Sequence, residues 1–293
     1  MSRINYAGVE PFLTKEGDDV KIIEQFLRGK INDTLCEDTI VANDNFVAIV
    51  DGVTSKSDFS YQRKTTGKWA STLVAQVLAE CPEETTLPEI ISRVNQKFAD
   101  FYEDVTFTDD IVSQGLQAVS VIYSNHFNEL WFIGDCQAYV NGQVLVTPKK
   151  SDVVLSQMRS LILTTNFQTT KAIPQDYMTG EDPSRTEILP WILKATNFAN
   201  EAGTDFGYAI FNGTPIPDSL IQVVKLEDNP QEIALASDGY PQIQKDLDTT
   251  EVGLADVIQN DPLCYQQFPS TKGLRAGNNS FDDRSYIRFT TEN

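Results

Sequence analysis

Two hydrophobic rhythms divide this chain into blocks. Phe46-Val47-Ala48-Ile49-Val50 is a short unbroken apolar run that ends on Asp51-Gly52, and such a run predicts a buried strand. Residues 37–41 predict a strand beside it, with Asn43-Asp44-Asn45 as the tight turn of a hairpin. The rhythm then changes. Trp69, Leu73, Val74, Val77 and Leu78, and later Ile91, Val94, Phe98 and Phe101, recur every third or fourth position. They predict amphipathic helices over 64–80 and 88–102, lying antiparallel on a sheet. Residues 116–123, 129–133, 138–141 and 143–146 predict a meander of strands with turns at Asn125 and Asn141-Gly142. Strands are expected again at 220–226 and 232–236, a helix at 250–260 and a closing strand at 281–289. Near the start, residues 4–9 predict a short strand. The spacing of Val20, Ile22, Ile23, Phe26 and Leu27 behind Asp18-Asp19 predicts a helix with acidic residues at its beginning.

Residues 147–207 interrupt this order. Helix-like runs at 153–163 and 184–198 are broken by Pro174, Gly180 and Pro183. An excursion of that size between strands predicts a lid or flap. No internal repeat and no low-complexity linker divides the rest, so residues 1–293 are expected to form one domain with a flap-like insertion at about 147–207.

Composition narrows the partners. A chain of 293 residues, 41% of them hydrophobic, can bury about 75% of its unfolded surface. Lys and Arg number 23 against 42 Asp and Glu, a formal net charge of −19 at pH 7. That disfavours nucleic acid and anionic membranes, which reward clustered Lys and Arg, and it suits divalent cations and basic peptides. The first fifteen residues hold no apolar signal core, and no apolar run approaches the roughly 18 residues of a membrane span, so a cytoplasmic protein is expected, and a monomer. Cys36, Cys81, Cys136 and Cys264 are scattered without C-x-x-C spacing and are expected as reduced thiols. The single histidine, His126, stands in a polar turn, which argues against a His-rich metal site or a Ser-His-Asp triad.

Candidate chemistry sits where strands end. Asp51-Gly52, Gly134-Asp135, Ser237-Asp238-Gly239 and Asp282-Asp283 each adjoin a predicted strand, and the hairpin returns Glu37-Asp38 beside Asp51. A strand fixes the direction of a carboxylate, and a neighbouring glycine lets another group come close. Each pair alone is also the mark of a plain turn or a helix cap; their number is what suggests a site. Two carboxylates 4 Å apart repel by about 4 kcal/mol at an effective dielectric near 20. Several such pairs would exceed the ~5–15 kcal/mol stability of a whole domain. If the groups converge, protons or cations must neutralise them. Oxygen ligands without His or Cys select magnesium, manganese or calcium over zinc. Two such ions about 3.5–4 Å apart activate a shared water and stabilise both the attacking and the leaving oxygen of a phosphoryl group. No Ser or Cys stands beside a histidine base as a protein nucleophile. Ile49-Val50-Asp51-Gly52-Val53-Thr54 superficially resembles the D-x-D-G-T motif of haloacid-dehalogenase-like phosphatases, but Ile49 occupies the position of their nucleophilic aspartate.

The ordered series resembles the metal-dependent protein phosphatases, the PPM or protein phosphatase 2C-like family. Their pattern E-D, V-V-D-G-H-G-G, G-S-T-A, V-G-D-S-R, A-S-D-G and D-N-x-T is met here by Glu37-Asp38, Ile49-Val50-Asp51-Gly52, Gly115-Leu116-Gln117-Ala118, Ile133-Gly134-Asp135-Cys136, Ala236-Ser237-Asp238-Gly239 and Asp282-Asp283-Arg284-Ser285. The resemblance implies an α+β fold, a four-layer α-β-β-α sandwich of two mainly antiparallel sheets flanked by helices. It implies two Mg2+ or Mn2+ ions and a looser site for a third. Asp51 would bridge the two ions, the Gly52 carbonyl would hold one, and Asp238 and Asp282 the other. Glu37 and Asp38 would position water, and Asp135 with Asp238 would serve the third ion. The implied activity is hydrolysis of phosphoserine or phosphothreonine in a phosphorylated protein substrate.

Three departures bear on that activity. The histidine expected after Asp-Gly is Val53, the phosphate-binding arginine expected before Glu37 is Asp33, and G-D-S-R becomes Gly134-Asp135-Cys136-Gln137. Lys30, Lys56 and Arg63 are candidates to replace the arginine. Two alternatives stay open: Asp282 against Asp283 as ligand, and an enzyme against a module that binds metal or partner without turnover.

Overall fold

The structure is a computed structural model and describes residues 12–13, 20–54, 56, 58–227, 229 and 231–291. The strand expected over 4–9 and the acidic pair Asp18-Asp19 lie outside them. In chain order β1 (Phe12–Leu13), β2 (Val20–Arg28), β3 (Thr39–Ala42) and β4 (Phe46–Gly52) precede the helices α1 (Thr66–Glu80), α2 (Leu87–Asp104) and the single turn α3 (Ile111–Gln114). The meander follows as β5 (Ala118–Ser124), β6 (Glu129–Ile133), β7 (Gln137–Val140) and β8 (Gln143–Val146). Helices α4 (Lys150–Thr169), α5 (Pro174–Thr179) and α6 (Pro183–Ala195) fill most of the segment expected as a flap. The chain ends with β9 (Gln222–Lys225), β10 (Glu232–Ala236), α7 (Leu247–Asn260) and β11 (Arg284–Thr291).

The strands form two sheets, ordered β1-β3-β4-β5-β6-β9 and β2-β11-β10-β7-β8. Every pairing is antiparallel except β1 with β3. Alternation along the strands explains the layers. In β4, Ala48 and Val50 face α1 and α2, whereas Val47 and Ile49 face the second sheet. In β10, Ile233 and Leu235 join that same inter-sheet core, and Ala234 and Ala236 turn outward to meet Leu254 and Val257 of α7. Both faces of these strands are covered, which is why their sequences are apolar without a break. The result is the α-β-β-α sandwich expected from the motifs.

One expectation is overturned. Residues 20–27 form the strand β2, paired with β11, and not a helix. Glu24 lies opposite Arg288 and Ile22 opposite Phe289, leaving Ile23 as the extra residue of a β-bulge. Val20, Ile22 and Leu27 still reach the inter-sheet core, while Phe26 faces the other way. A bulge shifts the phase of alternation by one residue, so apolar positions fall three and four apart and imitate a helical period.

The helices begin where their caps predict. Thr86 and Glu89 form a capping box with Pro88 in the first turn of α2. Thr65 caps α1, its side chain accepting from Lys68 N at 3.2 Å. Among the described residues no helix is long and apolar enough to cross a membrane.

Candidate active site

Antiparallel pairing collects the acidic frames at one end of the sandwich. Val50 near the end of β4 lies opposite Thr39 at the start of β3, so Glu37-Asp38 comes beside Asp51-Gly52. Ala236 at the end of β10 lies opposite Tyr286 of β11, which brings Ser237-Asp238 next to Asp282-Asp283. Gly134-Asp135 follows the end of β6 in the first sheet. Close backbone approach needs glycine at two of these corners. A Cβ on Gly52 would lie 2.1 Å from the Gly67 carbonyl oxygen of α1, and one on Gly239 would lie 1.9 Å from that of Asp283.

A cavity of about 420 Å3 opens here, lined by Asp51, Asp135, Asp238 and Asp282. Glu37 and Asp38 lie behind this wall, both buried. Glu37 Oε1 accepts from the Thr65 hydroxyl at 2.6 Å, so the cap of α1 also holds a site residue. Asp38 Oδ2 accepts from the Ser285 hydroxyl at 2.7 Å, and its Oδ1, also buried, has no hydrogen-bond partner. Asp51 and Asp238 are hydrogen-bonded to each other. Burial and the charges of Asp38, Asp238 and Asp282 push the Asp51 carboxyl well up.

The two adjacent aspartates separate cleanly. Asp283 turns into the fold, where it accepts from the Lys30 and Glu37 backbone amides at 2.7 and 3.1 Å. Asp282 faces the cavity and is paired with Lys30 at 3.2 Å and with Lys272. Burial opposes ionisation of Asp282, but the ammonium groups of Lys272 and Lys30 outweigh it and hold its carboxyl at about 2. Lys30 is also within 3.3 Å of Asp283 and 3.7 Å of Glu37, and this carboxylate company overcomes burial and raises it well above the usual lysine range. Asp38 and Asp135 are each pushed up to about 7, first by burial and then by the charges of Asp283 and Asp238 respectively.

Several lining residues carried no signal in the sequence. Lys149 and Asp152 at the start of α4, Arg185 in the first turn of α6, and Lys272 all line the same cavity. What brings them there is Arg159 of α4, which is fully buried. Its Nη2 pairs with Asp182 at 2.7 Å, and its Nη1 donates to the carbonyls of Leu263, Ser270 and Cys264 at 2.7, 3.1 and 3.3 Å. Arg185 Nη1 donates to the Thr271 carbonyl at 2.8 Å. The inserted helices are thereby tied to the loop that carries Lys272. Of the three cations expected to replace the absent arginine, Lys56 lines the cavity, Lys30 is bound to carboxylates, and Arg63 is exposed outside the lining.

No protein-family model matches the chain, and no curated protein does. Likeness to solved structures extends over nearly its full length. The serine/threonine phosphatase PstP/Ppp of Mycobacterium tuberculosis is 15% identical, with a TM-score of 0.45 over 94% of this chain and 100% of that one. A catalytic domain of PstP in complex with two manganese ions is 13% identical, with a TM-score of 0.48 and the same coverage. Stp1 of Staphylococcus aureus, also a serine/threonine phosphatase, is 14% identical, with a TM-score of 0.47 over 99% of this chain and 100% of that one. All three are phosphatases.

Whether the residues present suit a metal can be judged from their own chemistry. The carboxylates lining the cavity offer oxygen donors only, and the unmet Asp38 Oδ1 is a buried acceptor facing no donor. These are the requirements of a hard dication. Among the described residues, no three His, Cys, Asp or Glu side chains are disposed as a formed metal site. Asp51 and Asp238 are bound to each other, and Asp282 to two lysines. The donor set therefore fits the ion, and binding it would compete with Lys30 and Lys272 for Asp282.

Proposed function

We propose that this chain is a metal-dependent phosphatase acting on phosphoserine or phosphothreonine in protein substrates. What supports the reading above all is the meeting of Asp51, Asp135, Asp238 and Asp282, from four separate parts of the chain, in the lining of one cavity. Asp51, the Gly52 carbonyl, Asp238 and Asp282 would hold Mg2+ or Mn2+, with Glu37 and Asp38 orienting water behind them and Asp135 serving a third, looser ion. A dication bound there supplies an acidified water and positive charge for the phosphoryl oxygens. The chain's own contribution is rigidity and charge control. Strand ends hold Asp51 and Asp238, the α1 cap holds Glu37, and Lys30 and Lys272 keep Asp282 ionised and ready to be exchanged. Val53 gives the chain no titratable side chain at the position of the expected histidine, so the proton for the leaving serine or threonine oxygen must come from water.

A second reading has its own support. Lys30 and Lys272 meet the charge of Asp282 from within the chain, as suits a module that binds metal or partner without turnover. One assay separates the two: hydrolysis of a chromogenic aryl phosphate with and without Mn2+, for the wild type and for Asp238→Ala. Metal-dependent turnover that falls by at least ~100-fold in the variant supports the enzyme. Metal binding with no turnover in the wild type supports the module.

A further inference from the structure

The cavity that holds the carboxylates is also lined by four cations, Lys56, Lys149, Arg185 and Lys272, contributed by the loop after β4, by the segment 147–207 and by the loop before β11. Two of these four cations are accounted for. Lys272 is paired with Asp282. Lys149 is paired with Asp152 at 3.3 Å and sits over the Tyr208 ring at 4.3 Å.

The other two are left over. Among the described residues neither Lys56 nor Arg185 forms an ion pair. Among the described residues Lys56 Nζ gives one hydrogen bond, to the Thr54 carbonyl at 3.1 Å. The Arg185 guanidinium gives one, to Thr271. An ammonium has three N–H donors and a guanidinium five, so most of the donors on both groups remain unused, at positions only partly open to water. The two also repel each other: burial first, and then the charges of Lys149, Lys272 and Arg185, bring Lys56 down to about 8, with Asp152 offsetting part of this at both Lys56 and Arg185. Gathering half-buried like charges is costly unless an anion joins them.

We propose that Lys56 and Arg185 form an anion subsite that takes a tetrahedral oxyanion of the phosphate-monoester class, and so do the work of the missing arginine from a different part of the chain. The assignment of that anion to a phosphorylated substrate rests on the phosphatase reading; the subsite itself does not. A guanidinium presents a planar fork to two oxygens of one phosphoryl group, and an ammonium can meet a third. The fork is held in place. Arg185 lies in the first turn of α6, where its backbone N–H donates to the capping Asp182 carboxylate, and that carboxylate is locked by Arg159.

The test is calorimetric titration of the full chain with inorganic phosphate in the presence of Mn2+, for the wild type, Lys56→Met, Arg185→Ala and Arg185→Lys, with sulfate and acetate as competing anions. Mn2+ affinity is measured separately by electron paramagnetic resonance. We expect one phosphate per wild-type chain, preferred over sulfate and acetate. Loss of about tenfold or more in phosphate affinity is expected for Lys56→Met and for Arg185→Ala, with partial recovery in Arg185→Lys and Mn2+ affinity within about twofold throughout. Arg185→Ala also removes the bond to Thr271, so Lys56→Met, which disturbs only a contact with Thr54, decides if the loop shifts. The proposal falls if the wild type takes up no phosphate at millimolar concentration, or if both Lys56→Met and Arg185→Ala bind it as the wild type does. Phosphate bound by the wild type and lost in the variants, with no hydrolysis of an aryl phosphate by any of them, keeps the subsite and removes the phosphatase reading. Hydrolysis with unaltered KM and phosphate affinity in both variants does the reverse.

Discussion

At the scale of single residues, Lys272 and Asp282 show how a buried carboxylate of this site meets a counter-charge. A carboxylate at the mouth of a buried acidic group needs a counter-charge, and an ammonium from a distant loop supplies it. Lysine and metal therefore compete for the same oxygens. Replacing Lys272 with Met is expected to tighten Mn2+ binding, by about three- to tenfold for one displaced surface-accessible ion pair, while lowering the melting temperature of the metal-free protein. Titration calorimetry and differential scanning calorimetry on the same variant check both, and weaker Mn2+ binding would show that Lys272 supports the ion instead of rivalling it. Asp51, Asp135 and Asp238 were legible in the sequence because a strand end followed or preceded by glycine is a local pattern. Asp282 and Asp283 could not be separated there, since their distinction lies in which one meets the Lys30 and Glu37 amides, and those donors are some 250 positions away. Lys272 and Arg185 had no local mark of any kind.

At the scale of elements, most strands and the long helices were legible because one period runs through each of them. The exceptions have a physical cause. In β2 the bulge at Ile23 breaks the alternation, and a strand with a broken period imitates a helix. Between 147 and 207 the helices pack on each other through a small apolar cluster of Leu155, Ile188 and Ile192, and much of what holds them is polar and long-range. Arg159 is the centre of that hold. Changing it to Met would leave the Asp182 carboxylate without its cation and the Leu263 and Ser270 carbonyls without their donor, while the Cys264 carbonyl keeps the Ser270 amide. Breaking a buried pair from one side costs about 3–5 kcal/mol. We expect Arg159→Met to lower stability by that order in urea unfolding. Faster hydrogen exchange should be confined to α4, α6 and the 261–276 loop, with the sandwich core protected as before. A loss spread evenly over both sheets would mean that the inserted helices are not a separately anchored unit. Because Lys272 and Arg185 ride on these parts, the same change is expected to raise KM more than it lowers kcat.

At the scale of the whole molecule, the burial that shapes the site also sets how stability depends on pH. Asp38 and Asp135 sit at about 7 in the folded protein, chiefly through burial, against about 4 for aspartate in an unfolded chain. Between those values the folded state holds more protons than the unfolded state, so the stability of the metal-free protein falls as pH rises. Asp51 and Asp238, also displaced upward, act in the same sense. Asp282 acts in the opposite sense, but its window lies below pH 4, because its carboxyl is held at about 2. Lys56, lowered to about 8, contributes only above that pH. From pH 5 to 7.5 the direction is therefore single: the metal-free protein should melt lower at pH 7.5 than at pH 5. A carboxyl carried from about 4 to about 7 sets a ceiling of ~4 kcal/mol for one group forced to ionise, and about 2 °C per kcal/mol is usual for a chain of this size. A fall of several degrees is expected. The net charge of −19 adds repulsion of the same sign, and Asp38→Asn separates the two contributions, because it removes a site carboxylate while changing the overall charge by one. The variant should melt higher than the wild type, by more at pH 7.5 than at pH 5. Millimolar Mn2+ should raise the wild-type melting temperature more at pH 7.5 than at pH 5, since at the higher pH fewer protons must leave before the ion can bind. A metal-free melting temperature that stays level or climbs across this range, in wild type and variant alike, would mean that these carboxylates are not confined together as the cavity wall requires.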